Sequence, residues 1–333
     1  MAKKFLVTGG LGFIGASLVS ALHARRDTVR VLDNSSRGSR EKLGEGVSVE
    51  IIEGDIRDPL IVQRAVKGVD SVIHLAYVNG TEFFYKHPAY VLDVGVKGMV
   101  NVLDACMKHG IPELILASSS EVYQTPPTVP TDESVPLSIP DPLNSRYSYG
   151  GGKIISELLA LNYGREHLKR CVIFRPHNVY GPMMGFEHVI PQFIERLKTL
   201  QTSSSVPTPF PIQGDGTQTR SFIFIDDFTA GLLSVIDRGE HLNIYHIGTM
   251  EEVTIRQLAE QVASCMDLRI AVQPGPEADG GTSRRCPDIS KLKKLGFSPT
   301  FSLAAGLQPT VAWYRDHDKP LRSFSSSPSL FLP

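Results

Sequence analysis

Residues 4–15 read KFLVTGGLGFIG, a short apolar run that ends on paired glycines and passes directly into the helical pattern FIGASLVSALHARR at 13–26. A second apolar run, TVRVLD, occupies 28–33. Strand, turn, helix and strand is the reading that this order predicts. Gly9, Gly12 and Gly15 stand in a GxxGxxG spacing at the turn. Without side chains there, the backbone turns tightly, a pyrophosphate reaches N–H groups at the helix N-terminus, and the helix packs close to its strand. Asp33 closes the second strand, where a carboxylate meets the ribose hydroxyls of an adenosine. The same negative charge would repel a 2′-phosphate, so the pattern favours NAD over NADP, although Arg37 is close enough in sequence to leave the choice open.

Working outward, further apolar runs appear in VSVEIIEGD (47–55), DSVIHLAY (70–77), ELILASSS (113–120) and KRCVIFRP (169–176), separated by helical stretches. Alternating strands and helices predict an α/β, Rossmann-type doubly wound parallel sheet covered on both faces, with a smaller interleaved C-terminal substrate lobe. We expect residues 1–175 to form the NAD-binding domain, with 218–247 returning to it. The substrate lobe is expected from 176–217 and 248–320, where loops grow longer and richer in Pro and Gly, and 321–333 reads as a poorly ordered tail.

With 333 residues and 36.5 kDa the chain can bury a large core. A formal net charge of −1 provides no global field for nucleic acid or anionic membrane. No apolar stretch approaches the ~18 residues of a membrane span, and the basic then apolar start is broken by glycines, which fits a buried strand better than a signal peptide. The four cysteines, Cys106, Cys171, Cys265 and Cys286, are scattered without metal-ligand spacing, so we expect reduced thiols, no metal and a cytoplasmic setting. Asp55 and Ile56, at the end of the third strand, are candidate neighbours of the adenine or members of an ordinary strand-end turn.

YSYGGGK at 147–153 poses a separate question. Three glycines inside a helix forgo about 3 kcal/mol relative to alanine, so a helix here needs a compensating reason. If Tyr149 opens the helix, Lys153 lies one turn on and on the same face, and a phenol and an ammonium converge. A flexible loop is the competing reading.

The motifs TGGLGFIG, GDIRD, HLAY, SSSEVY, YSYGGGK, RPHNVYGP and GDGTQTRSFIFIDD, in that order, resemble the extended short-chain dehydrogenase/reductase family, in its NAD-dependent nucleotide-sugar epimerase/dehydratase branch. The likeness spans about residues 1–317. It implies NAD as cofactor, a nucleotide-diphosphate sugar as substrate and a homodimer. It implies catalytic roles for Tyr149 and Lys153 (the family's YxxxK), for Ser119, and a candidate role for Glu121. Besides Gly9, Gly12, Gly15 and Asp33, it puts Phe13, Ile14 and Asn34 beside the cofactor near the glycine turn. Asp55, Ile56, Leu75, Ala76, Tyr149 and Lys153 approach it from the later strands. Ser120, Asn178, Arg220 and Arg285 become candidate substrate contacts. A free tyrosine titrates near 10, and bringing it to about 7 takes roughly 4 kcal/mol of differential stabilisation, which an adjacent ammonium and the oxidised nicotinamide would supply. The glycines would then leave room for cofactor and substrate.

The resemblance leaves the outcome of the reaction open. In the 4,6-dehydratase branch an Asp–Glu pair follows the threonine; here Ser120 and Glu121 stand there, without the acid that protonates the leaving hydroxyl. Ser–Glu, together with RRCPDIS at 284–290, looks like the UDP-glucuronate decarboxylase branch. A 4-epimerase requires only the catalytic set, a retained cofactor and room for a keto sugar to turn, and is the expectation of fewest assumptions. A non-catalytic NAD-sensing scaffold is the alternative from another class. Three departures from the family pattern stand out: Tyr77 for the second alanine of HLAA, Gly95 for the asparagine of Asn-Val-x-Gly, and Gln124 for the glycine of VYG. Tyr77 and the adjoining NGTEFFYKH are expected to reshape the sugar pocket. His177 and His188 read as structural.

Overall fold

The computed structural model describes residues 3–200, 207–276 and 282–318. The stretch 321–333, expected to be poorly ordered, lies outside the described residues. Six strands open the fold: β1 (Lys4–Thr8), β2 (Thr28–Asp33), β3 (Glu50–Glu53), β4 (Ser71–His74), β5 (Glu113–Ala117) and β6 (Arg170–Pro176). After them come the short strands β7 (Val179–Tyr180), β8 (Thr208–Gln213), β9 (Thr219–Ser221) and β10 (Ile223–Phe224), then β11 (Asn243–Ile247), β12 (Glu252–Thr254), β13 (Ile270–Gly275) and β14 (Arg284–Arg285). A parallel seven-stranded sheet runs in the order β3-β2-β1-β4-β5-β6-β11, with Val7 paired to Val31 on one side and to Ile73 on the other. The fold class is the α/β doubly wound sheet that the alternation predicts.

Both faces of the sheet are buried, which is why its strands read as continuous apolar runs. Phe5 and Val7 point into one core and Leu6 into the other. Helices α1 (Phe13–Ala24), α2 (Pro59–Val66), α3 (Thr81–Lys86), α4 (Pro88–Leu92), α5 (Gly98–His109), α6 (Ser148–His167), α7 (Val189–Leu200) and α8 (Ile225–Arg238) follow in chain order. They are completed by α9 (Ile255–Ser264), α10 (Ser290–Lys294) and α11 (Leu303–Asp316). The Leu6 core is closed by α2, α5 and α6, and the Phe5 core by α1 and α8 and, further on, by α7, α9 and α11. Sequence signals set several ends: Asp58 caps α2 ahead of Pro59, Gly110 ends α5 in the left-handed region, and Thr254 with Gln257 makes a capping box on α9. A π-helical turn, Asp93–Lys97, joins α4 to α5.

The order reverses between β1 and β4, so the connections leaving these two strands diverge and open a crevice at their carboxyl ends. The glycine turn, the HLAY segment and the start of α6 meet there. Outside the main sheet, β8 pairs with β13 in parallel, and β9 is flanked by β12 and β14.

Candidate active site

The cradle begins with the glycine turn. Gly9 has φ +70°, and a Cβ on it would stand 2.8 Å from the backbone of Ala76. A Cβ on Gly15 would overlap the Gly9 carbonyl, so helix and strand approach only because that position is bare. Gly12 is the N-cap of α1, whose first turn carries no acidic residue, so Phe13, Ile14 and Gly15 present the positive helix end. The Asp33 carboxylate accepts from Leu11 N–H at 2.9 Å and Ser35 N–H at 2.8 Å, which fixes its position at the strand end; a carboxylate has about four acceptor sites, so ribose hydroxyls can still be bonded. Arg37 turns elsewhere, to the Asn79 carbonyl and, at 3.1 Å, to Glu187. Asn34 donates to Asp55 at 3.3 Å, and Asp55 is paired with Arg57 at 2.9 Å, while Ile56 is buried against Gly98. Thr8 ties this side together: its carbonyl receives Leu75 N–H, its hydroxyl receives Ala76 N–H and lies 2.7 Å from Nδ1 of buried His74.

YSYGGGK is helical. Helix α6 begins at Ser148, so Tyr149 and Lys153 lie one turn apart, both buried. Ser119, which caps the short 3-10 turn Ser120–Val122, places its hydroxyl beside the Tyr149 phenol. The Tyr149 ring is stacked on Phe84 (centroids 4.7 Å apart) and meets the edge of Tyr77 at 5.2 Å. Burial pushes the Tyr149 phenol up to about 12, the Ser119 hydrogen bond working against it. Burial also pulls the Lys153 ammonium down to about 7, opposed by Glu157. Lys153 Nζ donates to the Ala117 carbonyl at 2.7 Å.

Two of the three glycines are accounted for by protein neighbours, a reason other than the expected room for cofactor and substrate. A Cβ on Gly152 would strike the Tyr77 hydroxyl, and so would one on Gly95 across the slot. A Cβ on Gly150 would strike the Gln124 carboxamide and come within 2.9 Å of the Glu121 carbonyl. Gly151 alone of the three meets no backbone or polar group: a Cβ there would press on the end of the Ile139 side chain, with Cδ1 at 3.3 Å. Two of the departures from the family pattern, Tyr77 and Gln124, are thus packed against Gly152 and Gly150, and the third, Gly95, makes room for Tyr77 from the other side. Tyr77 packs into the base of the site, while Phe84 of NGTEFFYKH supplies the stacking face.

At the other end, Glu121 is ion-paired with buried Arg285. Burial acts to raise the Glu121 carboxyl, but Arg285, Arg146 and Arg220 outweigh it and hold it below the ordinary carboxylate value. Burial, then the Arg285 charge, pull Arg220 down to about 10. Arg220 donates to the Thr219 and Thr282 carbonyls at 2.7 Å each. Three guanidiniums around one carboxylate leave a local excess of positive charge suited to an anion. Ser120 is buried beside Glu121, and Asn178, at φ +40°, bonds the Ser221 carbonyl at 2.8 Å. His177 is buried and His188 partly so, and desolvation lowers the proton affinity of both. Arg146 escaped the sequence reading, its signal being a basic residue three positions before Tyr149, and Phe84 was singled out only as part of NGTEFFYKH.

The family described as NAD dependent epimerase/dehydratase matches residues 5–248. The chain belongs to this family. Over 318 residues it is 32% identical to UDP-glucuronic acid decarboxylase 2 of Arabidopsis thaliana, covering 94% of this chain and 68% of that one. The structure of dTDP-glucose 4,6-dehydratase from Streptomyces venezuelae, with NAD bound, superposes with TM-score 0.84 at 30% identity, covering 94% of this chain and 97% of the other. UDP-glucose 4-epimerase from Thermotoga maritima with UDP-glucose superposes with TM-score 0.82 at 28% identity, covering 94% and 99%.

NAD is the cofactor of this family, and the chain's residues fit it. The bare positions Gly9, Gly12 and Gly15 form a cradle that any Cβ would fill or crowd, the α1 N-terminus lacks a competing acid, and Asp33 is held for a ribose. Arg37, which the sequence left as a possible partner of a 2′-phosphate, is engaged by Asn79 and Glu187. Among the described residues no group of His, Cys, Asp or Glu could hold a metal ion, and no helix is long and apolar enough to cross a membrane.

Proposed function

We propose that the protein is an NAD-dependent nucleotide-diphosphate-sugar 4-epimerase. The observation that carries this reading is the lack of an acid at positions 120 and 121: buried Ser120 stands where the dehydratase pattern has its aspartic acid, and beside it Glu121 cannot take over that role. Paired with Arg285 and held below the usual carboxylate range, it is ionised at neutral pH and has no proton to give a departing hydroxyl. Loss of water therefore lacks its acid, whereas exchange at C4 needs only Ser119, Tyr149 and Lys153.

In this reading Arg220, Arg285 and Arg146 grip the anionic diphosphate, and Asn178 and Ser120 border the sugar. Tyr149, with Ser119 beside it, takes the proton of the C4 hydroxyl and later returns it to the same oxygen, once C4 has received its hydride back on the opposite face. Lys153 favours the phenolate. NAD, when bound, supplies the acceptor and donor of the C4 hydride and a positive charge beside the phenol. Proton and hydride both return, so no net oxidation occurs. The nucleotide half is held by Gly9, Gly12, Phe13, Ile14, Gly15 and Asp33, and Asn34, Asp55, Ile56, Leu75 and Ala76 border it. Exposed Leu92, Ile155 and Leu158, on α4 and α6, support pairing of two copies, and four unpaired cysteines support a cytoplasmic setting.

A second reading, decarboxylation of a UDP-hexuronate, is favoured by the Glu121–Arg285 contact and by the decarboxylase relatives. Incubating the purified protein with UDP-, dTDP-, GDP- and CDP-sugars and following products by NMR separates them. Exchange at C4 is the expected result; release of CO2 from a hexuronate selects the second reading, and a 4-keto-6-deoxy product would overturn both. A Tyr149→Phe protein that binds NAD but oxidises no sugar excludes the scaffold reading.

A further inference from the structure

Lys153 is only 3% exposed, and of its three N–H donors one is accounted for by the Ala117 carbonyl. The next close group is an aromatic face: Nζ lies 3.9 Å from the centroid of Tyr77 and 5.9 Å from that of Tyr149. The surrounding charges are disposed elsewhere. Glu157, one turn along α6, is bonded by Arg175 and Ser118, and His74 on β4 is buried and neutral against Thr8. Tyr77 reaches this position through a slot made by two bare positions, Gly95 on the π-helical turn and Gly152 on α6. Its hydroxyl oxygen is buried and has no hydrogen-bond partner among the described residues. A phenol that bonds nothing through its oxygen contributes through its ring.

We propose that Tyr77 is a positioning residue for Lys153: its ring face holds the ammonium beside Tyr149, and positions 95 and 152 are glycine because the phenol fills the space of their side chains. The inference rests on the reading of Tyr149 and Lys153 as the proton-transfer pair. The negative face of an aromatic ring attracts a desolvated cation, which aliphatic surface does not. Without that face the ammonium keeps the Ala117 carbonyl but no charge support beyond Glu157, which is engaged by Arg175, and its proton is released at lower pH.

The test follows Lys153 directly, by NMR of isotope-labelled lysine in the purified, NAD-loaded protein as pH is raised. Tyr77→Leu is expected to lower the midpoint of the Lys153 titration by about one pH unit, and Tyr77→Phe, which keeps the face, to leave it within about 0.3 unit. Gly152→Ala displaces the phenol without altering Tyr77 and gives an independent route to the same downward shift. If Tyr77→Leu disturbs folding, the Gly152→Ala protein decides the matter. A wild-type midpoint in either folded variant, or an equal shift in Tyr77→Leu and Tyr77→Phe, overturns the proposal. No substrate is needed, so this outcome is independent of whether the sugar panel shows exchange at C4.

Discussion

Two cations are buried against α6, and the protein treats them oppositely. Arg175, on β6, is 2% exposed and places Nε and Nη2 on the Glu157 carboxylate at 2.8 and 2.6 Å, with Nη1 on the Tyr123 hydroxyl. Burial acts against its charge, but Glu157 more than offsets this and raises its hold on the proton. Lys153 is as deeply buried and has a backbone carbonyl and two ring faces instead of a carboxylate. Glu157 stands one turn from Lys153, the spacing of a helical ion pair, yet is drawn to Arg175 and Ser118. A paired buried cation fixes strands to a helix. An unpaired one is left with a proton affinity near neutrality, the property a proton-transfer site needs.

The largest expected effect attacks the paired side. Glu157→Leu leaves the Arg175 guanidinium buried without its carboxylate and should cost about 3–5 kcal/mol of stability, read by chemical denaturation. A loss below about 1 kcal/mol, within the range of an exposed pair, would mean that Arg175 does not depend on Glu157, and the contrast would collapse.

The same change at the other cation should have the reverse signature. Lys153→Met is expected to lower sugar oxidation by about 10²–10⁴-fold while leaving stability unchanged or higher, since it removes a desolvated charge. The pH dependence sharpens this. Burial lowers Lys153 to about 7 in the folded protein, against about 10.4 for an unfolded lysine. Between those values the unfolded chain binds the extra proton, so stability should rise with pH across this window by up to one proton's slope. Lys153→Met should flatten that rise, and an unchanged slope would show that Lys153 is not the group responsible.

How much of this could be read in the sequence depends on how locally each feature is determined. The glycine turn and Asp33 are constrained by conformation and approach within a single strand–helix–strand unit, so fold class and cofactor were legible there. Tyr149 and Lys153 meet because of helical spacing alone. The slot for Tyr77 is different in kind. Tyr77, Gly95 and Gly152 come from three separate elements, and each was visible only as an isolated oddity until α6 and the π-helical turn enclosed the phenol. Likewise Arg146, Arg220 and Arg285 come from a 3-10 turn, β9 and β14, and only tertiary packing turns three scattered arginines into one cationic cluster.

The first turn of α6 offers the finest division between the region committed to the site and the region that is merely helix. Gly150→Ala brings a Cβ to 2.9 Å from the Glu121 carbonyl, a backbone atom that yields poorly, and into the Gln124 carboxamide. It should destabilise by about 1–3 kcal/mol. Gly151→Ala differs by one position and should act in the opposite direction. Its nearest neighbour is Ile139 Cδ1 at 3.3 Å, the end of a half-exposed side chain able to move by a few tenths of an ångström. The alanine then recovers helix propensity and restricts the unfolded chain, a gain of about 0.5–1 kcal/mol, measured by thermal and denaturant unfolding. A loss at Gly151 comparable to that at Gly150 would show that the whole triplet is sterically committed. A gain confined to Gly151 would assign the commitment to Gly150 and Gly152, the two positions that accommodate Gln124 and Tyr77.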